Sequence, residues 1–281
     1  MSGRRAWALA GLIAATAVFL VTVPAFRHFF DLGVYRGAVR WWLLGEAPLY
    51  EFRYDGTEYG FTYPPFAAVA MSPLALTSWP VAVALSLAAN AAVVVLLLRR
   101  LVLPLLRRPG RHRPTAAVVA ACAVLVFEPV RDTFSYGQVN LLLLALVLAD
   151  HRLLERGSRW AGAGIGLAAA VKLTPAIFVL YLIVAGRRRA AAVAAGTAAA
   201  ATALAALVAP GATREFWTSA LWDTGRVGDL AYVSNQSLRG ALARLDVPHG
   251  RRRKCICLDL RDLAGDRPGT RRDRSGTEQN F

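Results

Sequence analysis

The sequence predicts an all-α, polytopic integral membrane protein. Three observations carry that expectation. Hydrophobic residues make up 56% of the 281 residues, above the roughly 45–50% usual for soluble domains. The mean hydropathy is +0.41, and the apolar residues are gathered in long Ala, Leu and Val runs, as membrane spans require. The formal net charge of +15 is carried by short arginine clusters between those runs, the pattern of cytoplasmic loops rather than of a nucleic-acid-binding face. No nucleic-acid partner is expected, because no aromatic-basic groove or zinc-ligand spacing accompanies the charge.

The first apolar run covers Ala6 to Phe26 behind Arg4-Arg5. No small-x-small cleavage site follows it, so it reads as a retained anchor helix with its start in the cytoplasm. Residues 27–63 then form an outer loop with four Arg and five Asp or Glu. Within it, Leu32 to Leu44 is expected to form an amphipathic helix along the membrane surface, with Trp41-Trp42 at the interface and Gly45 as its stop. Residues 66–78 are too short to span and read as a half-helix. Val81 to Leu98 is a full span, closed by Arg99-Arg100 and by Arg107, Arg108, Arg111 and Arg113.

Thr115 to Phe127 returns outward, and Glu128 to Gly137 is the second outer loop. Gln138 to Ala149 goes back in, to Arg152, Arg156 and Arg159. Trp160 to Val171 and Pro175 to Ala185 form a hairpin broken at Lys172-Leu173-Thr174-Pro175 and ending at Arg187-Arg188-Arg189. Each arm is short for a span, so the hairpin is expected to be tilted or partly re-entrant. Ala190 to Ala209 crosses outward, and residues 210–250 form a third outer segment. From Arg251 the chain turns Arg-, Asp- and Gly-rich. It reads as a disordered basic tail or, because the change is abrupt, as a lost reading frame. Domain organisation is thus a transmembrane region over 1–250 and a tail over 251–281. Cys122 reads as a small core residue, and Cys255-Ile256-Cys257 lacks the partner ligands of a metal site.

The distinctive polar residues all fall on the outer side of this topology. Asp31 reads either as the N-cap of the loop helix or as a general base taking a proton from a hydroxyl. Lys172 either snorkels to the interface or pairs with a lipid phosphate, for which a compact ammonium is suited. Thr174-Pro175 resembles a helix start, whose free N–H groups favour anions. Gln138, Asn140, Asn235 and Gln236 either hydrogen-bond sugar hydroxyls or cap and bridge helices. Tyr35 and Tyr63 either stack on a sugar or lipid head or anchor the interface. Asn235-Gln236-Ser237 also matches a glycosylation sequon, read as incidental.

Five segments in order carry a resemblance: Asp31-Leu32-x-Val34-Tyr35, Phe61-Thr62-Tyr63-Pro64-Pro65-Phe66, Gly137-Gln138-Val139-Asn140, Lys172-Leu173-Thr174-Pro175 and Asn235-Gln236-Ser237-Leu238. Together they resemble glycosyltransferase family 87, over roughly residues 6–245. The resemblance implies a GT-C-like helical bundle in the cytoplasmic membrane with its active site on the extracytoplasmic face. It implies a polyprenyl-phosphate sugar donor, usually mannose with arabinofuranose among relatives, and α-(1→2) transfer to a glycolipid or lipoglycan acceptor. It places Asp31 as the candidate catalytic base. Family members generally continue with further spans, so the chain resembles a family member that stops early. No cofactor or metal is expected, since no Asp-x-Asp pair stands in an outer loop. A transporter or lipid flippase without chemistry, or an inactive fragment, is the alternative reading.

Overall fold

The computed structural model describes residues 3–22, 28–102, 104, 113–232, 235 and 237–246. The predicted tail, with Cys255 and Cys257, lies outside these residues, as do Arg107, Arg108 and Arg111. Contacts divide the chain into two compact units, Met1–Arg226 and Val227–Phe281. The described residues form helices and turns with no strand. The chain is an all-α polytopic membrane protein.

In the first unit, α1 (Gly3–Thr22) packs on α5 (Arg113–Val126). The short α2 (Phe30–Leu43) and α3 (Pro65–Ala75) pack on each other. Then follow α4 (Trp79–Leu97), which runs into a π-turn at Leu98–Val102, and, after α5, α6 (Glu128–Tyr136) and α7 (Asn140–Glu155). The hairpin is α8 (Ala163–Val171), a 3-10 turn (Thr174–Ala176) and α9 (Ile177–Val184). The long α10 (Arg188–Val208) leads into α11 (Pro210–Glu215).

Among the described residues, three helices are long and apolar enough to cross a membrane: Gly3–Thr22, Trp79–Arg100 and Arg188–Val208. Their outward faces carry large apolar side chains that an aqueous protein would bury. Leu207 on α10 is 82% exposed and Val184 on α9 is 80% exposed, whereas Ala194 and Ala205 on the inner side of α10 are covered. Such an inside-out distribution costs little when the solvent is lipid. The half-helix expected at 66–78 is α3, whose 11 residues rise about 16 Å, about half a bilayer core.

The tightest packing joins α8 to α10. A Cβ at Gly162 would strike the carbonyl of Ala190, and one at Gly166 the carbonyl of Ala194. The two backbones approach as closely as they do because neither residue has a side chain. Asp150 of α7 is fully buried behind this pair and accepts the Ile165 N–H of α8 at 2.6 Å. That bond satisfies one of the free N–H groups at the start of α8.

The second core lies at the other end of these helices. Tyr35, Ala38 and Val39 of α2 pack with Leu49, Tyr50, Phe52 and Phe61 of the loop, Ala67, Ala68 and Met71 of α3, and Ala209, Ala212 and Phe216 after α10. The apolar face of α2 is therefore largely spent on protein, a correction to a helix simply lying on lipid. Only its C-terminal end leaves Trp41, Leu43 and Leu44 exposed. The helix stops as expected: Gly45 N–H bonds the Trp42 carbonyl and Glu46 N–H the Trp41 carbonyl, both at 3.1 Å.

In the second unit the described residues include α12 (Leu238–Asp246). Ser237 begins it, its Oγ accepting Gly240 N–H at 3.0 Å.

Because α8 and α10 touch through backbone, Gly166→Leu is expected to destabilise the first unit by at least about 1–3 kcal/mol, the usual cost of overpacking. Thermal unfolding in detergent would show it. Leu207→Ile, on the lipid face, should leave the transition in place.

Candidate active site

The segments singled out in the sequence meet at one end of the bundle. Helix α2 starts after two residues in left-handed conformation, His28 (φ 52) and Phe29 (φ 55). Phe29 N–H donates to the Ser135 carbonyl of α6 at 3.0 Å, which ties the start of α2 to the end of α6. Asp31 is then the second residue of the helix. Phe29 occupies the capping position and no side chain caps the helix, so the N-cap reading of Asp31 is corrected. Its carboxylate is turned instead to Gln138, whose Nε2 donates to Oδ2 at 2.6 Å.

Gln138 is set by the stop of α6. Gly137 takes φ 70, and a Cβ there would lie 2.7 Å from Leu32 Cβ. Only glycine meets both demands without strain. Gln138 N–H then closes on the Thr133 carbonyl at 2.9 Å. Its own carbonyl receives the amide of Asn90, buried in α4, at 3.3 Å.

Lys172 follows the last turn of α8, where Pro175 prevents the helix from continuing through. Thr174-Pro175 starts a helix as expected, its first turn (Thr174–Ala176) being 3-10 before α9 continues. Lys172 Nζ donates to Asn140 Oδ1 at 3.0 Å and lies 3.4 Å from the hydroxyl of Tyr63, with its charge 5.1 Å from the Tyr63 ring centroid. Asn140 Nδ2 donates to Gln138 Oε1 at 2.7 Å. The Tyr63 and Tyr35 hydroxyls are 2.8 Å apart, and the Tyr35 hydroxyl bonds the Asp31 carboxylate.

Six side chains thus form a closed ring with two arms from Lys172 to Asp31. One arm runs through Asn140 and Gln138, the other through Tyr63 and Tyr35. Its direction is fixed by its ends, because an ammonium only donates and a carboxylate only accepts. Asn140 must turn its oxygen to Lys172 and its amide to Gln138, which must then turn its own amide to Asp31. In the phenol arm Tyr63 accepts from Lys172 and donates to Tyr35, which donates to Asp31. Every bond points from the positive to the negative end, so the dipoles reinforce one another.

Burial pushes the Asp31 carboxyl above its ordinary range. The Gln138 bond, the Lys172 charge and the Tyr35 hydroxyl pull it back, while Asp132 pushes the same way as burial. Burial also holds the Tyr35 phenol well above its ordinary value, so it stays a donor. Tyr63 is held from behind. Tyr50 donates to its carbonyl at 2.8 Å, and Arg226 donates to the Tyr50 carbonyl at 2.6 Å.

Beside the amide arm lies an apolar groove of about 480 Å³. Val94, Leu97 and Leu98 of α4 and its π-turn, and Leu141 and Leu144 of α7, form much of its wall, and Gln138 and Asn140 lie at its polar end.

The sequence profile of glycosyltransferase family 87 matches residues 61–258. The chain belongs to that family. It is 36% identical to the polyprenol-phosphate-mannose-dependent alpha-(1-2)-phosphatidylinositol mannoside mannosyltransferase of Mycobacterium tuberculosis, with 87% of this chain and 61% of the relative covered. The protein of the same description from Mycolicibacterium smegmatis is also 36% identical, with coverage of 84% and 56%. A pentamannoside mannosyltransferase of M. smegmatis is 35% identical, with coverage of 83% and 56%. The chain spans about three fifths of the length of the first of these relatives and somewhat less of the others. No solved structure matches it.

Six of the eight candidate site residues meet in one network: Asp31, Tyr35, Tyr63, Gln138, Asn140 and Lys172. Asn235 belongs to the second unit, and its side chain is used locally. Nδ2 donates to the Leu230 carbonyl at 3.0 Å and Oδ1 accepts from Ser237 Oγ at 2.7 Å. Gln236 lies outside the described residues. The sequence reading missed Asn90, the supporting Tyr50 and the Asp132 charge. Asn90 had a signal, as an amide inside an otherwise apolar span. Tyr50 had none, since a loop residue carries no periodicity, and Asp132 had none because α6 is a short helix inside a segment that reads as a polar loop.

Gly137→Ala is expected to strain the stop of α6 by about 1–2 kcal/mol and to move Gln138 off Asp31. A lowered unfolding temperature in detergent would be the result. An unchanged unfolding temperature would show that the glycine stop is not under this constraint.

Proposed function

We propose that the ring is the sugar-transfer centre of a membrane glycosyltransferase. It moves a mannosyl or related residue from a polyprenyl-phosphate donor to a glycolipid acceptor. The observation that carries the reading is the joining of a half-buried carboxylate to an ammonium across two directed hydrogen-bond arms. The transfer needs a base at the acceptor and a cation at the leaving phosphate, and the ring supplies both at a fixed separation.

In the proposed step, Asp31 accepts the proton of the acceptor hydroxyl as its oxygen attacks the anomeric carbon. The bond from that carbon to the phosphate oxygen breaks, and the polyprenyl phosphate leaves with the electron pair. Lys172 meets the charge that develops there. One displacement inverts the anomeric carbon, so a β-linked donor gives an α-linkage. The donor and the phosphatidylinositol mannoside acceptor are taken from the names of the mycobacterial relatives, with a lipoglycan as the wider acceptor class. The transferase region is assigned to residues 1–250, with the centre at the outer face of the cytoplasmic membrane. In support of that placement, the arginine-rich ends of α4, α7 and α10 lie at the other ends of these helices from the ring.

The groove supports a lipid-linked donor. It offers an apolar wall for a polyprenyl chain and ends at the amides bonded to Lys172 and Asp31.

Membranes carrying the chain are expected to transfer labelled mannose from a polyprenyl-phosphate donor. Asp31→Asn should lower the rate by about 10²–10⁴-fold, the range of general-base contributions. An unchanged rate removes Asp31 as the base. Leu144→Trp, which fills the groove, should raise KM for a long-chain donor while leaving a short-chain analogue little affected. Equal effects on both would place the chain elsewhere.

A further inference from the structure

The closed ring leaves neither of its ends free, and that has a consequence for the order of events. Lys172 has three N–H donors, of which Asn140 takes one and Tyr63 faces another. One donor remains for a phosphate. Asp31 accepts from Gln138 and Tyr35, and both bonds hold its electron density back from a reacting hydroxyl. In this state the carboxylate stays above the ordinary range because it is buried, but Gln138, Lys172 and Tyr35 hold its proton affinity below what burial alone would give.

We propose that Asn140 and Gln138 are positioning residues that couple the lipid phosphate at Lys172 to the basicity of Asp31, so that donor binding switches the base on. The inference rests on the reading of Lys172 as the phosphate site and deepens it. An anion at Lys172 offsets the ammonium charge that now favours the ionised carboxylate. It also weakens the polarisation passed along Lys172, Asn140 and Gln138. Asp31 then binds a proton more readily, as a base for an acceptor hydroxyl must. Without donor, Lys172 and the two hydrogen bonds keep that proton affinity held down.

The coupling is reciprocal. A phosphate that raises the proton affinity of Asp31 must itself bind more tightly once Asp31 is protonated or neutral. The charged groups acting on Asp31 are Lys172 at the end of α8 and Asp132 on α6, with Tyr35 and Tyr63 as the neutral phenols beside it. Helix α3, packed against α2, contributes no charged side chain. Asp31→Asn removes the carboxylate's charge while leaving the Lys172 and Asp132 side chains in place, so a comparison with that variant isolates the carboxylate. The phosphate's own titration is common to both proteins and cancels.

The test is binding of farnesyl phosphate to the purified full chain in detergent, by calorimetry across pH. In the wild type, affinity is expected to rise as pH falls through the Asp31 transition, beyond the change seen in Asp31→Asn. Near neutrality Asp31→Asn should bind about tenfold more tightly than the wild type, the equivalent of about one unit of proton affinity. In buffers of different ionisation enthalpy, only the wild type should show the extra proton uptake. Asn140→Ala should shrink the gap between Asp31 and its Asn variant several-fold, which a merely structural role for Asn140 would not do.

Binding with the same pH profile in wild type and Asp31→Asn overturns the coupling and leaves the phosphate site standing. An undiminished gap in Asn140→Ala removes the amide arm from it. Binding that survives Lys172→Met unchanged overturns the phosphate site and the coupling together, as does the absence of binding to the wild type.

Discussion

An ammonium and a carboxylate brought to one end of a membrane bundle must each be satisfied, and everything around the site follows from how that is done. Neither charge is paired by direct contact in the ring. Each is passed to the other through two neutral side chains on either arm. A direct ion pair would satisfy both groups but leave little for substrates, since a buried pair is costly to break. Four neutral spacers keep both charges half-accessible and fix their separation. They also fix every amide orientation, because the end groups permit only one direction of donation.

The fold can be understood as the means of holding those spacers. Gln138 is held by the glycine stop of α6 and by Asn90 from α4. Tyr63 is held by Tyr50, which is in turn tied to Arg226. Lys172 is delivered by α8, which cannot slide because its backbone lies against that of α10 and its start is bonded to Asp150. The helix pair therefore sets the position of the cation, and the aromatic core under α2 sets the position of the phenols and the carboxylate. Two different kinds of packing, backbone to backbone and ring to ring, meet at a single polar network.

Much of this was legible in the sequence, and for a physical reason. Lipid as solvent forces long apolar runs, so the spans at Trp79 and Arg188 announce themselves by composition. Polar residues that interrupt such a chain are expensive, so Asp31, Gln138, Asn140 and Lys172 stood out against their surroundings. Three things did not show. The part of α2 facing protein looked like a face for lipid, because an apolar stripe does not say what covers it. The capping role of Asp31 followed from local spacing, whereas the Gln138 amide lies 107 residues away and outweighs it. Asn235 looked like its fellow amides but spends its side chain on the turn before α12. Its local use had no signature beyond the Ser two residues on.

The long separations within the ring also bear on how the protein is made. Asp31 and Tyr35 leave the ribosome more than a hundred residues before the partners that complete the network, with Lys172 lying 109 residues after Tyr63. Domains form from the N-terminus during synthesis, so the first outer loop must wait with its carboxylate hydrated while α4 to α8 are inserted. The polar end of the bundle is thus completed late, although Asp31 is among the earliest residues made. Lys172 alone does not finish the loop, because Ala209, Ala212 and Phe216 share its core and Arg226 holds Tyr50, so the first outer loop packs fully only once the chain beyond α10 has been made.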